Sequence, residues 1–196
     1  MVFLNANYNS PSFQKRLVAT SALPKGIDDE EIKIYHLDES DDYKELSRAQ
    51  RNIIWKDNKY LDSIKNEWSI THGRYDVYTM ESSNKDIICF SVVDNQRKKE
   101  TQLKFIETAP QYSYKNKKNR PFKYIGETMI AFLIRKSHKK NFEVSEVRDY
   151  DATKKFYFDI CEMEKSGKKG AILKKENIDS FIKKNKKHTG SEIKVF

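Results

Sequence analysis

One segment of the chain combines residue types that suit phosphate. In "NKKNRPFKYIGETMIAFLIRKSHKK", residues 116–140, a basic, proline-containing loop runs into one glycine and then into an amphipathic stretch. A helix N-terminus exposes unpaired backbone N–H groups and the positive end of the dipole, and a glycine there lets an anion approach the backbone closely. "IGET", Ile125 to Thr128, can supply those donors, with Lys117, Lys118, Arg120 and Lys123 adding longer-range attraction for a polyphosphate. The plainer alternative is an ordinary loop with solvated lysines. No glycine-rich run is followed by GK[ST], and GxGxxG is absent, which excludes the P-loop and the dinucleotide fingerprint.

Other chemistries find less material. Cys89 and Cys161 lie far apart and form no CxxC, so neither a disulfide framework nor a zinc site is indicated. His36, His72, His138 and His188 are scattered, without metal-ligand spacing. Glu146, Asp149 and Asp151 are close in sequence, yet alternation along a strand separates their faces and argues against a paired-carboxylate hydrolase. Trp55, Tyr60, Trp68 and Tyr75 either line an acceptor pocket or fill the core.

The elements that must position these groups can be read from periodicity. With 196 residues the chain is long enough to bury one ordinary core. Residues 1–27, with Pro11, Pro24 and Gly26 and little periodicity, read as an N-terminal arm, and 28–196 as a single domain. "EIKIYHL" reads as a first strand. One or two helices follow between Asp38 and Gly73. "RYDVYTMES", with Tyr75, Val77 and Thr79 alternating to one side, "DIICFSVVD" and "TQLKFIETA" are three strands joined by the polar turns "SSNK" and "NQRKKE", hence an antiparallel meander. Met129, Ile130, Phe132, Leu133 and Ile134 mark a helix whose cationic end suits the dipole. "NFEVSEVRDY" is a strand, "DATKKFYFDICEMEK" a short helix capped by Asp151, "GAILKK" a strand and "ENIDSFIKKNKK" a final helix. The fold class is α+β, a mixed α/β chain with a mostly antiparallel central sheet flanked by helices.

"IETAP", the basic loop, "YIGETMIAFLIRKSHKKNF", "VSEVRDY" and "ATKKFYF" together resemble the cofactor-binding half of the GNAT superfamily of acyl-CoA-dependent N-acyltransferases, a small bacterial branch in particular. The resemblance covers roughly residues 32–185 in element order, with matching motifs from Leu103 to Phe158. It implies direct transfer of an acetyl group from acetyl-CoA to an amine acceptor. It also implies that the backbone at Thr108 and Ala109 and the loop Arg120, Lys123, Tyr124, Ile125, Gly126, Glu127 and Thr128 hold the cofactor. The family loop is [QR]-x-x-G-x-[GA]. Aligned on Gly126, Tyr124 stands where the family has its internal glycine and Pro121 where it has Gln or Arg, with Arg120 one place early; a bulky Tyr124 would hinder close approach and Pro121 has no N–H to offer. Glu107 is then the candidate base, acting through water, or a solvent-facing strand residue. Tyr157 is the candidate acid for the CoA thiolate, or a core aromatic between Phe156 and Phe158. No metal is implied.

Charge bears on partners. The net charge is +9, and Lys115 to Lys140 holds nine lysines and arginines against Glu127 alone. That segment and the lysine-rich end of the chain are either solvated surface or a patch for nucleic acid, tRNA or DNA, or for an acidic protein. A non-catalytic GNAT-like binding module is accordingly the alternative function. With no apolar run of roughly 20 residues and no secretory leader, the expectation is a cytoplasmic protein without membrane contact. A homodimer is an allowed assembly.

Overall fold

The computed structural model describes residues 16–25, 28–37, 75–110, 124–137, 140–149, 151–190 and 192–196. Among them the chain runs β1 (Arg16–Lys25), β2 (Asp28–Leu37), β3 (Asp76–Glu81), β4 (Ile87–Asp94), β5 (Glu100–Thr108), α1 (Ile125–Lys136), β6 (Asn141–Val144) and α2 (Asp151–Lys154), which continues as a π-helix over Lys155–Ile160. Then follow β7 (Glu164–Ser166), β8 (Gly170–Leu173), a 3-10 turn (Lys175–Asn177), α3 (Ile178–Thr189) and β9 (Lys194–Val195). The helices expected between Asp38 and Gly73 fall outside the described residues.

The nine strands of the described residues join one sheet in the order β7-β8-β6-β5-β4-β3-β2-β1-β9. Every pairing is antiparallel except β5 with β6, so the architecture is α+β with a mostly antiparallel sheet. Arg16–Lys25, within the segment expected to be an arm, is a sheet strand that pairs along the length of β2.

The meander forms because its three apolar runs are separated by turns that satisfy their own backbone. In the first turn the Lys85 amide donates to the Ser82 carbonyl at 2.9 Å and the Ser82 amide to the Asp86 carbonyl at 3.0 Å. The expected alternation of β3 is present, but both of its faces are covered. Thr79 and Val77 are buried on one face and Tyr78 and Met80 on the other, and all eight residues of β4 are buried. A central strand covered on both faces loses the in-out rhythm that a half-solvated strand shows.

Helix α1 is buried along eight of its twelve residues. It lies on the sheet with Phe132 edge-on to Tyr78, ring centroids 5.3 Å apart, and α3 packs against it. The strand expected over residues 141–150 stops at Val144, and the helix expected from Asp151 changes hand-hold after one turn, becoming the π-helix.

Candidate active site at a split in the sheet

The parallel ladder between β5 and β6 joins Glu100–Leu103 to Asn141–Val144 and goes no further. Ser145 closes it, its amide donating to the Leu103 carbonyl at 3.2 Å and its hydroxyl to the same oxygen at 3.1 Å. Beyond that point β5 remains paired with β4 up to Thr108, and a bulge at Lys104 interrupts the register. A bulge bends its strand and sharpens the twist. The segment after Ser145 turns the other way, the Val147 amide donating to the Lys169 carbonyl at 2.7 Å. The result is a split between two strands that begin side by side.

Helix α1 starts at this split. A Cβ placed on Gly126 would lie 3.7 Å from Thr108 Oγ1 and, outside its own helix, within 4 Å of no other described group, so the described residues do not demand glycine there. The Thr128 amide donates to the Tyr124 carbonyl at 2.8 Å, and the amides of Ile125, Gly126 and Glu127, the first three of the helix, have no intrahelical acceptor among the described residues. No side chain caps this end among the described residues. Tyr124 takes the left-handed conformation, φ 62°, that favours glycine. Two expected donors are engaged within the fold instead: the Thr128 amide as above, and the Ala109 amide, which donates to the Ile88 carbonyl at 3.0 Å. The Thr128 hydroxyl is buried and has no hydrogen-bond partner among the described residues. Arg120 and Lys123 lie outside the described residues.

The two lips of the split carry the other candidates. Because Tyr78 meets Phe132 of α1 and pairs with Ser91, alternation puts Cys89 and its partner Thr108 on the α1 face and Phe90 and its partner Glu107 on the opposite face. Glu107 is not simply solvent-facing. Its carboxylate accepts from Arg148 Nη2 at 3.0 Å across the split, with side-chain exposures of 18% for Glu107 and 39% for Arg148.

Tyr157 sits in the π-helix, its carbonyl accepting from the Met163 amide at 3.0 Å and its ring edge-on to Phe156. Helices of this kind are rare and recur at functional sites. Tyr157 is buried, and burial pushes its phenol well above the ordinary value, helped by Cys161, Cys89 and Glu127 and opposed by the positive charge of Arg148. The hydroxyl is therefore protonated at neutral pH. Tyr157 is thus a packed aromatic of the core with titratable neighbours. Cys89 and Cys161 are buried free thiols, pushed up by burial first, and Glu127 raises both further.

The split thus brings together Glu107, Thr108 and Gly126 with Arg148, which the sequence does not single out, while Tyr157, Cys89 and Cys161 lie buried in the core. Arg148 carries no local signal for its bond to Glu107, which is 41 residues away. Among the described residues no group of His, Cys, Asp and Glu forms a metal site, and no helix is long and apolar enough to cross a membrane. In the basic end of the chain Lys169, Lys174, Lys184 and Lys186 pair with Glu146, Glu164, Glu162 and Glu192, which neutralises part of that surface.

No family model matches the chain, and no curated protein matches it in sequence. Solved structures do match in backbone course. A chimera of spermidine N-acetyltransferase SpeG from Vibrio cholerae and hSSAT is 11% identical, with 75% of this chain and 97% of that chain covered and a TM-score of 0.49. The IAA acetyltransferase from Bacillus cereus is 12% identical, covering 68% and 77% with a TM-score of 0.47. The KacTA–DNA complex is 8% identical, covering 62% and 85% with a TM-score of 0.47. This chain is similar to those proteins in the path of its backbone.

Proposed function

We propose that the protein is an acyl-CoA-dependent N-acyltransferase that uses acetyl-CoA and transfers the acetyl group directly to an amine. One observation carries the reading: the sheet splits where the start of α1, capped by no described side chain, meets Thr108 at the end of β5, the strand that carries the Glu107 carboxylate on its other face. The residues present fit the donor. Gly126 leaves space that no described residue beyond Thr108 approaches, and the amides of Ile125, Gly126 and Glu127, as the first three of a helix, have no acceptor within it.

Bound acetyl-CoA would supply an acyl carbon activated as a thioester. The chain's part is to seat phosphate oxygens on the first-turn amides, a site that the helix dipole favours. Arg120 and Lys123 add attraction by charge. Glu107 takes a proton from the attacking amine, directly or through water, as the carbon–nitrogen bond forms and the carbon–sulfur bond breaks. The proton that the departing sulfur needs comes from the Tyr157 hydroxyl, and solvent returns a proton from Glu107 to Tyr157. No cysteine nucleophile is required, consistent with two thiols held protonated by burial.

The test is titration calorimetry of the purified protein with acetyl-CoA and with CoA. Micromolar binding, weakened by Arg120→Ala and Lys123→Ala, is the expected result. No heat with either ligand would overturn the proposal. The acceptor would then be sought by following thiol release from acetyl-CoA over a panel of primary amines.

A further inference from the structure

We propose that a cavity between α1, α3 and the segment entering β9 binds the carboxylate of a short organic acid, held by the Arg135 guanidinium and the Asn185 side-chain amide. The site goes beyond the acyltransferase reading and does not rest on it, since Arg135 lies about 14 Å along α1 from Gly126. The cavity has a volume of about 40 Å³ and is partly open to solvent. Ala131, Ile182 and Ile193 give it an apolar wall, and Arg135, Asn185, Lys186 and Glu192 supply its polar groups. Asn185 is 4% exposed, and its Nδ2 has no hydrogen-bond partner among the described residues. A buried N–H without an acceptor costs stability, so an occupant that offers it an oxygen is favoured.

The charges around the cavity decide which oxygen. Arg135 donates through Nη1 to the Ile193 carbonyl, which fixes the guanidinium at the wall and leaves its other N–H groups for a further acceptor. No carboxylate among the described residues forms an ion pair with it. Glu192 accepts from Lys186 at 3.0 Å, and its carboxyl is held below the ordinary range by that bond first and then by the charges of Lys186, Lys194 and Arg135. Three cations thus surround one carboxylate that already has its partner. The negative end of α3 is close by, but the carbonyls of Asn185 and Lys186 are taken up by the Thr189 hydroxyl and the Gly190 amide, each at 2.9 Å. Water satisfies the Asn185 amide and leaves the guanidinium charge unmatched. A carboxylate answers both, one oxygen on Asn185 Nδ2 and the other on Arg135. A water needs about 10–15 Å³ of such space, so the cavity admits about three waters or an acid of about four heavy atoms, such as acetate with its methyl on the apolar wall.

The test titrates the full chain with sodium acetate at constant ionic strength, acetate replacing chloride. Proton–nitrogen correlation NMR follows the Asn185 side-chain amide and the backbone amides of Ile182 and Ile193. The expected result is a saturable shift with a Kd in the millimolar range, about what a ligand of so few atoms supplies. Arg135→Met and Asn185→Asp should each raise that Kd about tenfold or more, the second because it keeps the shape and sets a like charge against the ligand. Circular dichroism confirms that each variant is folded; if Arg135→Met is not, Asn185→Asp carries the comparison. No saturable shift up to about 100 mM acetate overturns the site and leaves the cavity to water. An unchanged Kd in the folded variants overturns it as well. Acetyl-CoA is absent throughout, so failure here leaves the acyltransferase reading standing, and failure of acetyl-CoA to bind leaves this site standing.

Discussion

Replacing Gly126 by alanine separates what the fold needs from what a ligand needs. Gly126 is the second residue of α1, its φ is not positive, and an added methyl would meet Thr108 Oγ1 at 3.7 Å, an ordinary contact. Glycine inside a helix costs about 0.5–1 kcal/mol relative to alanine. The first turn is the more permissive end, so Gly126→Ala should stabilise the protein by about 0.5 kcal/mol, a rise in Tm of roughly 1–2 °C for a chain of this size. The same methyl stands beside the amides of Gly126 and Glu127, where a phosphate oxygen would have to come. Acetyl-CoA affinity should fall about tenfold or more, which corresponds to ~1.4 kcal/mol. Urea denaturation reads the first quantity and titration calorimetry the second, on the same preparation. A variant less stable than wild type would show that the fold requires the glycine. A variant of equal affinity would show that the start of α1 is not the phosphate seat. Either result refutes the reasoning.

Other outcomes follow from the same structure. Tyr124 holds a left-handed backbone, so Tyr124→Ala should be less stable than Tyr124→Gly by about 1 kcal/mol in urea denaturation; equal stabilities would deny the strain. For Asp76, burial pushes the carboxyl up, but hydrogen bonds from His36 and Asn95 and the charges of His36 and Lys136 outweigh it and leave the group below the ordinary range. A depressed folded value contributes stability above the unfolded pKa of about 3.9 and loses it as the pH falls through the folded one. Asp76→Asn should therefore be less stable than wild type at neutral pH, with the gap closing below about pH 4; a gap that persists in acid would mean packing, not charge, is responsible. Cys89 and Cys161 are buried and pushed up, so both should react with an aromatic disulfide reagent only as fast as the protein opens, and quickly in denaturant. Stoichiometric labelling of the native protein would refute their burial.

The sequence by itself determined the elements whose causes are local. The meander from Asp76 to Thr108 is legible because apolar runs of strand length are broken by the turns at 82–86 and 95–99, and α1 because its apolar residues recur at helical spacing before a cationic end. Gly126 at the head of that helix was legible for the same reason. Strand β1 was not, since its segment shows little alternation and its sheet partners are β2 on one side and Val195, at the far end of the chain, on the other. The split was not legible either. Whether β6 follows β5 for four residues or nine depends on where the bulge at Lys104 bends the strand and on Ser145 turning away to bond Leu103. A period-2 pattern states which residues share a face and leaves open which neighbour each strand finds and for how long. That length of pairing decides that Arg148 meets Glu107 across a gap of 41 residues, so the chemistry of the site belongs to the tertiary structure while its individual residues belong to the sequence.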